Sequence, residues 1–313
     1  MRSRLKWLAL LSSVGMFLVL LMGALVTKTE SGRGCGDDWP LCNGRFVPAY
    51  TIESLIEYSH RFVTGIEGLI VLAVFIGVWA YVRDRWDARV HSAGALFFTI
   101  VQAILGAMAV VWPQSPPVLA LHFGVSLMAV ASTFLLVLAL WNWQGVKGER
   151  PGLGISYRPL PGEARISSGQ KWLVWVVTIY CYCVVYLGAY VRHTDSSGGC
   201  SGWPLCNGEV IPELSGASGV AFLHRLGALL LIVLLIVLFY RLNGTHAGIS
   251  RISVWGVLLG VLQILSGGLL VLSFGTDWYI FTSMLHSLLV TILFCILVYL
   301  CLAVYGLRKG EDR

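Results

Sequence analysis

Eight runs of about twenty or more mostly apolar residues dominate this chain, at roughly 7–27, 60–82, 90–111, 118–141, 171–191, 221–242, 250–273 and 279–305. At a rise of about 1.5 Å per residue, each is long enough to cross the hydrocarbon core of a bilayer as a helix. They are too long for barrel strands and lack their strict alternation. Only 12% of the 313 residues are charged, against about 25% in an ordinary soluble domain. That is too little charge to cover a soluble globule, and the hydrophobicity is too high for a disordered chain. The expected fold class is therefore an all-α integral membrane protein with eight transmembrane helices. Arg2, Arg4 and Lys6 look like the opening of a signal peptide. No small-residue cleavage site closes the apolar run behind them, so the first segment reads as an uncleaved helix.

The charges that remain predict orientation. The N-terminus, 83–89, 142–171, 241–251 and the C-terminus together carry 16 of the 22 basic residues. The opposite flanks hold Lys28, Arg33, Arg45, Arg61, Arg192 and Arg225. The positive-inside rule then places both termini and the 142–171 loop in the cytoplasm, in a multi-pass cell-membrane protein. The net charge of +6 is spent on topology, and no basic patch suits a nucleic acid. Glu30, Asp37, Asp38, Glu53, Glu57, Glu67, Asp195, Glu209, Glu213 and Asp277 lean the other way. The long loops 28–58 and 192–219 are expected to form a small exterior cap.

The chain repeats itself. CGDDWPLCNG at 35–44 returns as CSGWPLCNG at 200–208, and each is followed by a His-Arg pair, His60-Arg61 and His224-Arg225. Each half then has one Gln among small residues, Gln102 and Gln263, and a second His, His122 and His286. The offsets for Cys42/Cys206, His60/His224, Gln102/Gln263 and His122/His286 are 164, 164, 161 and 164. Four markers in one register through apolar sequence indicate a tandem duplication. The expected architecture is two four-helix bundles, 1–141 and 171–313, joined by a Gly-, Pro- and Arg-rich linker at 142–170. Each unit has an even number of spans, so both halves keep one orientation and a pseudo-two-fold axis along the membrane normal follows.

Of the eight cysteines, Cys35/Cys42 and Cys200/Cys206 lie in the exterior loops. Their short spacings on an oxidising side suit disulfides, structural or redox-active. One zinc site made from all four thiols is the alternative, although each pair recurs as a self-contained unit and CxxC spacing is absent. Cys181, Cys183, Cys295 and Cys301 fall within spans, where buried free thiols are ordinary.

His91 and His246 fall at cytoplasmic helix ends and His193 closes the fifth span. All three read as interface or loop residues. The duplicated four are different, because ligating residues within a span are costly and functional by default. His60 and His122 sit at one membrane depth on helices that can face each other, and His224 and His286 repeat the arrangement. Helical bundles build cofactor sites from facing side chains. Two imidazoles with no thiolate or carboxylate repeated beside them suit the two axial positions of a haem. Zinc asks for more ligands, and copper on two imidazoles is a weaker reading. Arg61 and Arg225 adjoin the histidines where haem propionates could be paired. Gly106, Gly267 and Gly268 either give a flat ring room or allow close helix packing.

Glu57 breaks the symmetry. It lies three residues before His60, on one face if helical, and Ala221 takes its place in the second half. Beside a haem pocket a carboxylate can act as acid, base or stabiliser of developing positive charge. Alternatively it is a solvated carboxylate favouring the dipole of a helix start.

At these residues the chain resembles the haem A synthase family. The motifs are GALVTKTESGRGCGDDWPLC (23–42), EYSHR (57–61), the His122 helix, and the echoes CSGWPLC (200–206), HR (224–225) and His286. The resemblance spans all eight segments and both loops. It implies an enzyme that oxidises the ring methyl of haem O to the formyl group of haem A by successive hydroxylations, for supply to terminal oxidases. It further implies that His60 and His122 frame the substrate haem O, that Glu57 is catalytic, and that His224 and His286 ligate a resident haem b. The Cys pairs would be exterior-loop disulfides. The expected partners are a haem O synthase, which is a farnesyltransferase, membrane lipid and further copies of the chain as a homo-oligomer.

Two other classes compete. A di-haem b-type cytochrome that only moves electrons accounts for the His pairs but not for a lone Glu57. A transporter built on a parallel repeat predicts mid-membrane polar residues and broken helices, whereas these spans are expected to concentrate their ionisable groups at the outer ends.

Overall fold

A computed structural model describes residues 2–46, 50–112, 115–141, 166–245 and 247–306. Among them are eight α-helices: α1 (Arg2–Lys28), α2 (Ile52–Tyr81), α3 (Trp86–Val111), α4 (Pro116–Trp141), α5 (Ser168–His193), α6 (Gly216–Leu242), α7 (Ala247–Leu272) and α8 (Tyr279–Gly306). All eight are long and apolar enough to cross a membrane, and pairing outside them is confined to isolated bridges. The chain is an all-α, multi-pass membrane protein. The physical reason is that a helix satisfies every backbone N–H and C=O within itself, where hydrocarbon offers no partners. The 142–170 linker lies, but for its last residues, outside the described residues, as does His246.

The main difference from the apolar runs is where α2 and α6 begin. Hydropathy starts them at 60 and 221, but the helices start at Ile52 and Gly216. The first two turns of α2, IESLIEYS, are too polar to register as a span. They are helical because Thr51 caps them by accepting from Ser54 N at 3.3 Å, with Glu53 in the first turn favourable to the dipole. His60 therefore sits in the third turn of α2 rather than opening it. At α5, Ser167 and Gln170 form a reciprocal capping box.

The chain divides into two compact units, Met1–Pro151 and Gly152–Arg313. In the first, α1 and α3 each pack against both α2 and α4. The four helices form a closed ring with α2 and α4 on the diagonal. In the second, α5 and α7 each pack against both α6 and α8, which are the diagonal pair. The first unit's end away from the Cys loop is closed by Leu5, Ala9, Val74, Val78, Val82, Leu136 and Leu140. There the buried Arg85 guanidinium donates to Asp87 and, at 2.8 Å, to the Ala139 carbonyl near the end of α4. In the second unit Thr178 of α5 meets Cys301 of α8, with Oγ1 and Sγ 3.2 Å apart. Cys181, Cys295 and Cys301 are buried, whereas Cys183 is exposed on α5.

The repeated loops fold alike. Asn43 and Gly44 have φ of 51° and 73°, and Asn207 and Gly208 have 56° and 82°. Two successive positive φ values make a type I′ turn, for which Asn-Gly is the favoured pair. The turn closes Cys42 onto Arg45 and Cys206 onto Glu209 as small bridges. The Asn43 side-chain amide donates to Gly34 O, and that of Asn207 to Gly199 O. Cys35–Cys42 and Cys200–Cys206 are disulfides, with Cα atoms 4.3 and 4.6 Å apart. Trp39-Pro40 and Trp203-Pro204 are both cis.

Candidate functional site

Each of the four repeated histidines rests on a glycine of a neighbouring helix. A Cβ added at Gly23 of α1 would stand 3.2 Å from His60 Cε1, and one at Gly106 of α3 would stand 3.5 Å from His122 Cε1. In the second unit the distances are 2.7 Å from Gly188 of α5 to His224 and 3.1 Å from Gly267 of α7 to His286. The glycines let the helices approach, and each imidazole fills the space a side chain would take. Gly106 and Gly267, singled out from the sequence, face the imidazoles themselves. Gly268 lies 2.8 Å, by its would-be Cβ, from the Trp203 indole of the loop. Gly23 and Gly188 were missed. Their signal is the repeat of GALV (23–26) as GAYV (188–191) just before each Cys loop.

The histidine pairs sit on diagonal helices, His60 and His122 on α2 and α4, His224 and His286 on α6 and α8. Gln102 and Gln263, visible in the sequence only as register markers, lie beside them. Gln263 Nε2 is 3.1 and 3.2 Å from the two ring nitrogens of His286, and Ser266 Oγ is 2.9 Å from its Nδ1. Gln102 Nε2 donates to Ser126 Oγ, which donates at 3.0 Å to the His122 carbonyl. Seven buried side-chain polar atoms have no hydrogen-bond partner among the described residues; three are the Nε atoms of Arg61, Arg89 and Arg192, and the other four are His60 Nδ1, His224 Nδ1, Gln102 Oε1 and Gln263 Oε1. Buried polar atoms are seldom left so. One imidazole nitrogen and one amide oxygen in each half thus ask for a further polar group. No group of three or more His, Cys, Asp or Glu gathers among the described residues. Two histidines in each unit would suit the holding of a haem better than a metal-ion cage, which asks for more ligands.

The His-Arg dipeptide gives each half a clamp. Arg61 Nη1 donates to Asp38 O at 2.6 Å and Leu41 O at 2.7 Å. Arg225 Nη1 donates to Gly202 O and Leu205 O, both at 3.0 Å. Each arginine so fastens the WPLC turn over the end of the helix that carries the histidine. The second η nitrogens differ. Arg225 Nη2 reaches the Cys200 carbonyl at 2.7 Å. Arg61 Nη2 instead donates to Glu57 Oε1 at 2.5 Å, and Glu57 Oε2 accepts from Cys35 N at 2.8 Å. Glu57 is 3% exposed and lies in the second turn of α2. A solvated carboxylate at a helix start is thereby ruled out. It is a buried carboxylate held by one guanidinium and one peptide N–H, a turn from His60. Ala221 occupies its place, also buried.

Eight membrane-spanning helices among the described residues, with two glycine-seated histidines on diagonal helices in each unit, define a polytopic membrane protein with a duplicated arrangement of histidines. The model of the cytochrome oxidase assembly protein family matches residues 6–54, 49–165 and 171–218. A protein named Heme A synthase from Halalkalibacterium halodurans is 40% identical over 306 residues, covering 96% of this chain and 97% of that relative. Proteins of the same name from Alkalihalophilus pseudofirmus and Symbiobacterium thermophilum are each 38% identical, covering 97% and 95% of this chain and 98% and 94% of their own length. The chain belongs to the haem A synthase family.

Proposed function

We propose that this chain makes haem A, oxidising the ring methyl of haem O to a formyl group in two hydroxylations. The second gives a geminal diol that loses water. The observation that carries the proposal is the buried Glu57, fixed beside one histidine pair and absent from the other. The first unit is then the reactive one, with substrate haem O between His60 and His122. The second holds a resident haem b between His224 and His286, which supplies one-electron chemistry when bound. The names of the relatives support the reaction, and the duplicated site supports its division between two units.

In this reading the chain's own groups do limited work. His60 and His122, seated on Gly23 and Gly106, fix the substrate's plane and depth. The Glu57 carboxylate stabilises positive charge that develops at the carbon being oxidised. It is preorganised for this by Arg61 and Cys35 N, so little reorganisation is needed as the charge appears. In the final dehydration, R–CH(OH)2 gives R–CHO and H2O, and a Glu57 oxygen takes the proton of one hydroxyl and passes it to the other, which leaves as water, so Glu57 ends as it began. Arg61 and Arg225 hold the loops closed and place positive charge at the edge where propionates would lie.

The Cys loops face outward and both termini face the cytoplasm, by the distribution of basic residues. A haem O synthase hands over the substrate within the bilayer, and terminal oxidases take the product. The test is to coexpress the chain with a haem O synthase, under aeration and with a competent reductant, and to extract the haems. Haem A is expected. Haem O left unconverted, with haem b bound in both units, would favour an electron-transferring di-haem cytochrome.

A further inference from the structure

Four polar residues descend one face of α2 at spacings of three, four and three: Glu57, His60, Thr64 and Glu67. The matching face of α6 reads Ala221, His224, Ala228 and Leu231. Only the histidine repeats. Below these positions α2 continues with the buried Val71, Val74 and Val78, so the polar track ends at Glu67.

Glu67 is 3% exposed and sits at the middle of α2, about 10 Å of helix rise beyond His60. Hydropathy grouped it with the carboxylates at the exterior ends, and the structure places it in the bundle instead. Its Oε1 accepts from Ser12 Oγ of α1 at 2.8 Å. Its Oε2 lies against Gly15, where a Cβ would overlap it. No ion pair to it occurs among the described residues. In the register of the repeat, Ser12 and Glu67 correspond to Val177 and Leu231, both buried. The same helix pair therefore closes with two apolar side chains, and packing does not require the polar pair. A carboxylate without a cation at that depth would cost several kcal/mol, whereas a carboxylic acid bonded to Ser12 is tolerated. Thr64 lies one turn from both His60 and Glu67, and its hydroxyl already donates to the His60 carbonyl at 2.7 Å.

We propose that Ser12, Thr64 and Glu67 form an internal proton store for the first unit's site, with Glu67 holding the exchangeable proton and Thr64 linking it toward His60 and Glu57. The inference rests on the haem O oxidation proposed above, because that reaction moves protons in a place water reaches poorly. With dioxygen and an electron donor, R–CH3 + O2 + 2 e− + 2 H+ gives R–CH2OH + H2O. With water and an electron acceptor, R–CH3 + H2O gives R–CH2OH + 2 e− + 2 H+. Either way two protons cross the pocket for each oxygen inserted. Glu67 gives up or takes one of them, and exchange with solvent through the loop end restores it. The second unit, which on this reading performs no oxidation, has no such track.

The test uses the purified full-length chain, coexpressed with a haem O synthase, as wild type, Glu67→Gln, Glu67→Leu and Glu67→Asp. Wild type minus Glu67→Gln should show the infrared carbonyl stretch of a neutral carboxylic acid, shifted in D2O. Glu67→Gln should keep the haem spectra yet slow conversion by about tenfold or more. Glu67→Leu should behave likewise, and Glu67→Asp should recover part of the rate. The proposal is overturned if no carboxylic-acid band is lost in Glu67→Gln, or if that variant converts haem O at the wild-type rate. It is equally overturned if slowing always comes with proportional loss of bound haem, which marks a packing role. A wild-type chain that leaves haem O unconverted would sink the reading of the reaction instead, while the infrared band still decides whether Glu67 carries a proton.

Discussion

The two units share a loop, an arginine clamp and two glycine-seated histidines, and they differ in what surrounds the first histidine of each. In the second unit Arg225 reaches the Cys200 carbonyl directly. In the first, Glu57 is inserted between Arg61 and the Cys35 peptide. The comparison separates what a paired-imidazole bundle needs from what one unit adds to it. Both need close helix approach at the ring, hence the glycines. Neither needs a carboxylate to fold, since Ala221, Ala228 and Leu231 close the equivalent face. The polar additions lie on α2 and its contact with α1, and also on α4, where Ser126 beside Gln102 takes the place of Val290.

The largest expected contrast is at Glu57. Glu57→Ala should lower haem A formation by about 10²–10⁴-fold while leaving the resident haem spectrum intact, read by haem extraction beside absorption spectra. Full activity would remove Glu57 from the chemistry and with it the distinction between the units. His224→Ala should do the reverse to the spectra and deplete bound haem b; an unchanged low-spin signal would refute that ligand.

Next come the clamps. Arg61→Ala strands a buried carboxylate and should cost about 3–5 kcal/mol. Arg225→Ala loses only hydrogen bonds to loop carbonyls and should cost about 1–2 kcal/mol. Thermal unfolding in one detergent ranks the two, and equal losses would mean that Glu57 is not held as an ion pair.

The glycine seats should grade by distance. Gly188→Ala places a methyl 2.7 Å from His224 Cε1, and Gly106→Ala places one 3.5 Å from His122. The first should displace its ring and weaken haem binding, whereas the second is an ordinary contact and should be near neutral. A reversed order in titrated haem occupancy would break the argument. The smallest contrast concerns the disulfides. Each short loop should contribute about 2 kcal/mol by chain entropy. Cys200→Ser with Cys206→Ser should cost that alone. Cys35→Ser with Cys42→Ser should also slow conversion, because Cys35 N holds Glu57.

Much of this was legible in the residues. Apolar runs of this length leave helices as the way to satisfy a backbone in lipid, and the shared WPLCNG marked the two loops as copies, although the type I′ turn at each Asn-Gly was seen only in the structure. The histidine register followed from the repeat. The first two turns of α2 were not legible as span, because hydropathy averages Glu53 and Glu57 as surface while a threonine cap makes them helix. Nor was Glu67, which reads as one more carboxylate until α1 is laid against it. Gly23 and Gly188 carried a repeat signal, but what a glycine faces is not written along the chain.

The sequence by itself determined the class, the eight helices, the duplication and the candidate ligands, since each depends on spacing along one chain or on comparing its halves. Only the tertiary structure decided that Arg61 holds Glu57, that each imidazole rests on a glycine, and that Ser12 meets Glu67. Those are contacts between helices, set by which faces meet, and composition and period do not encode which faces those are.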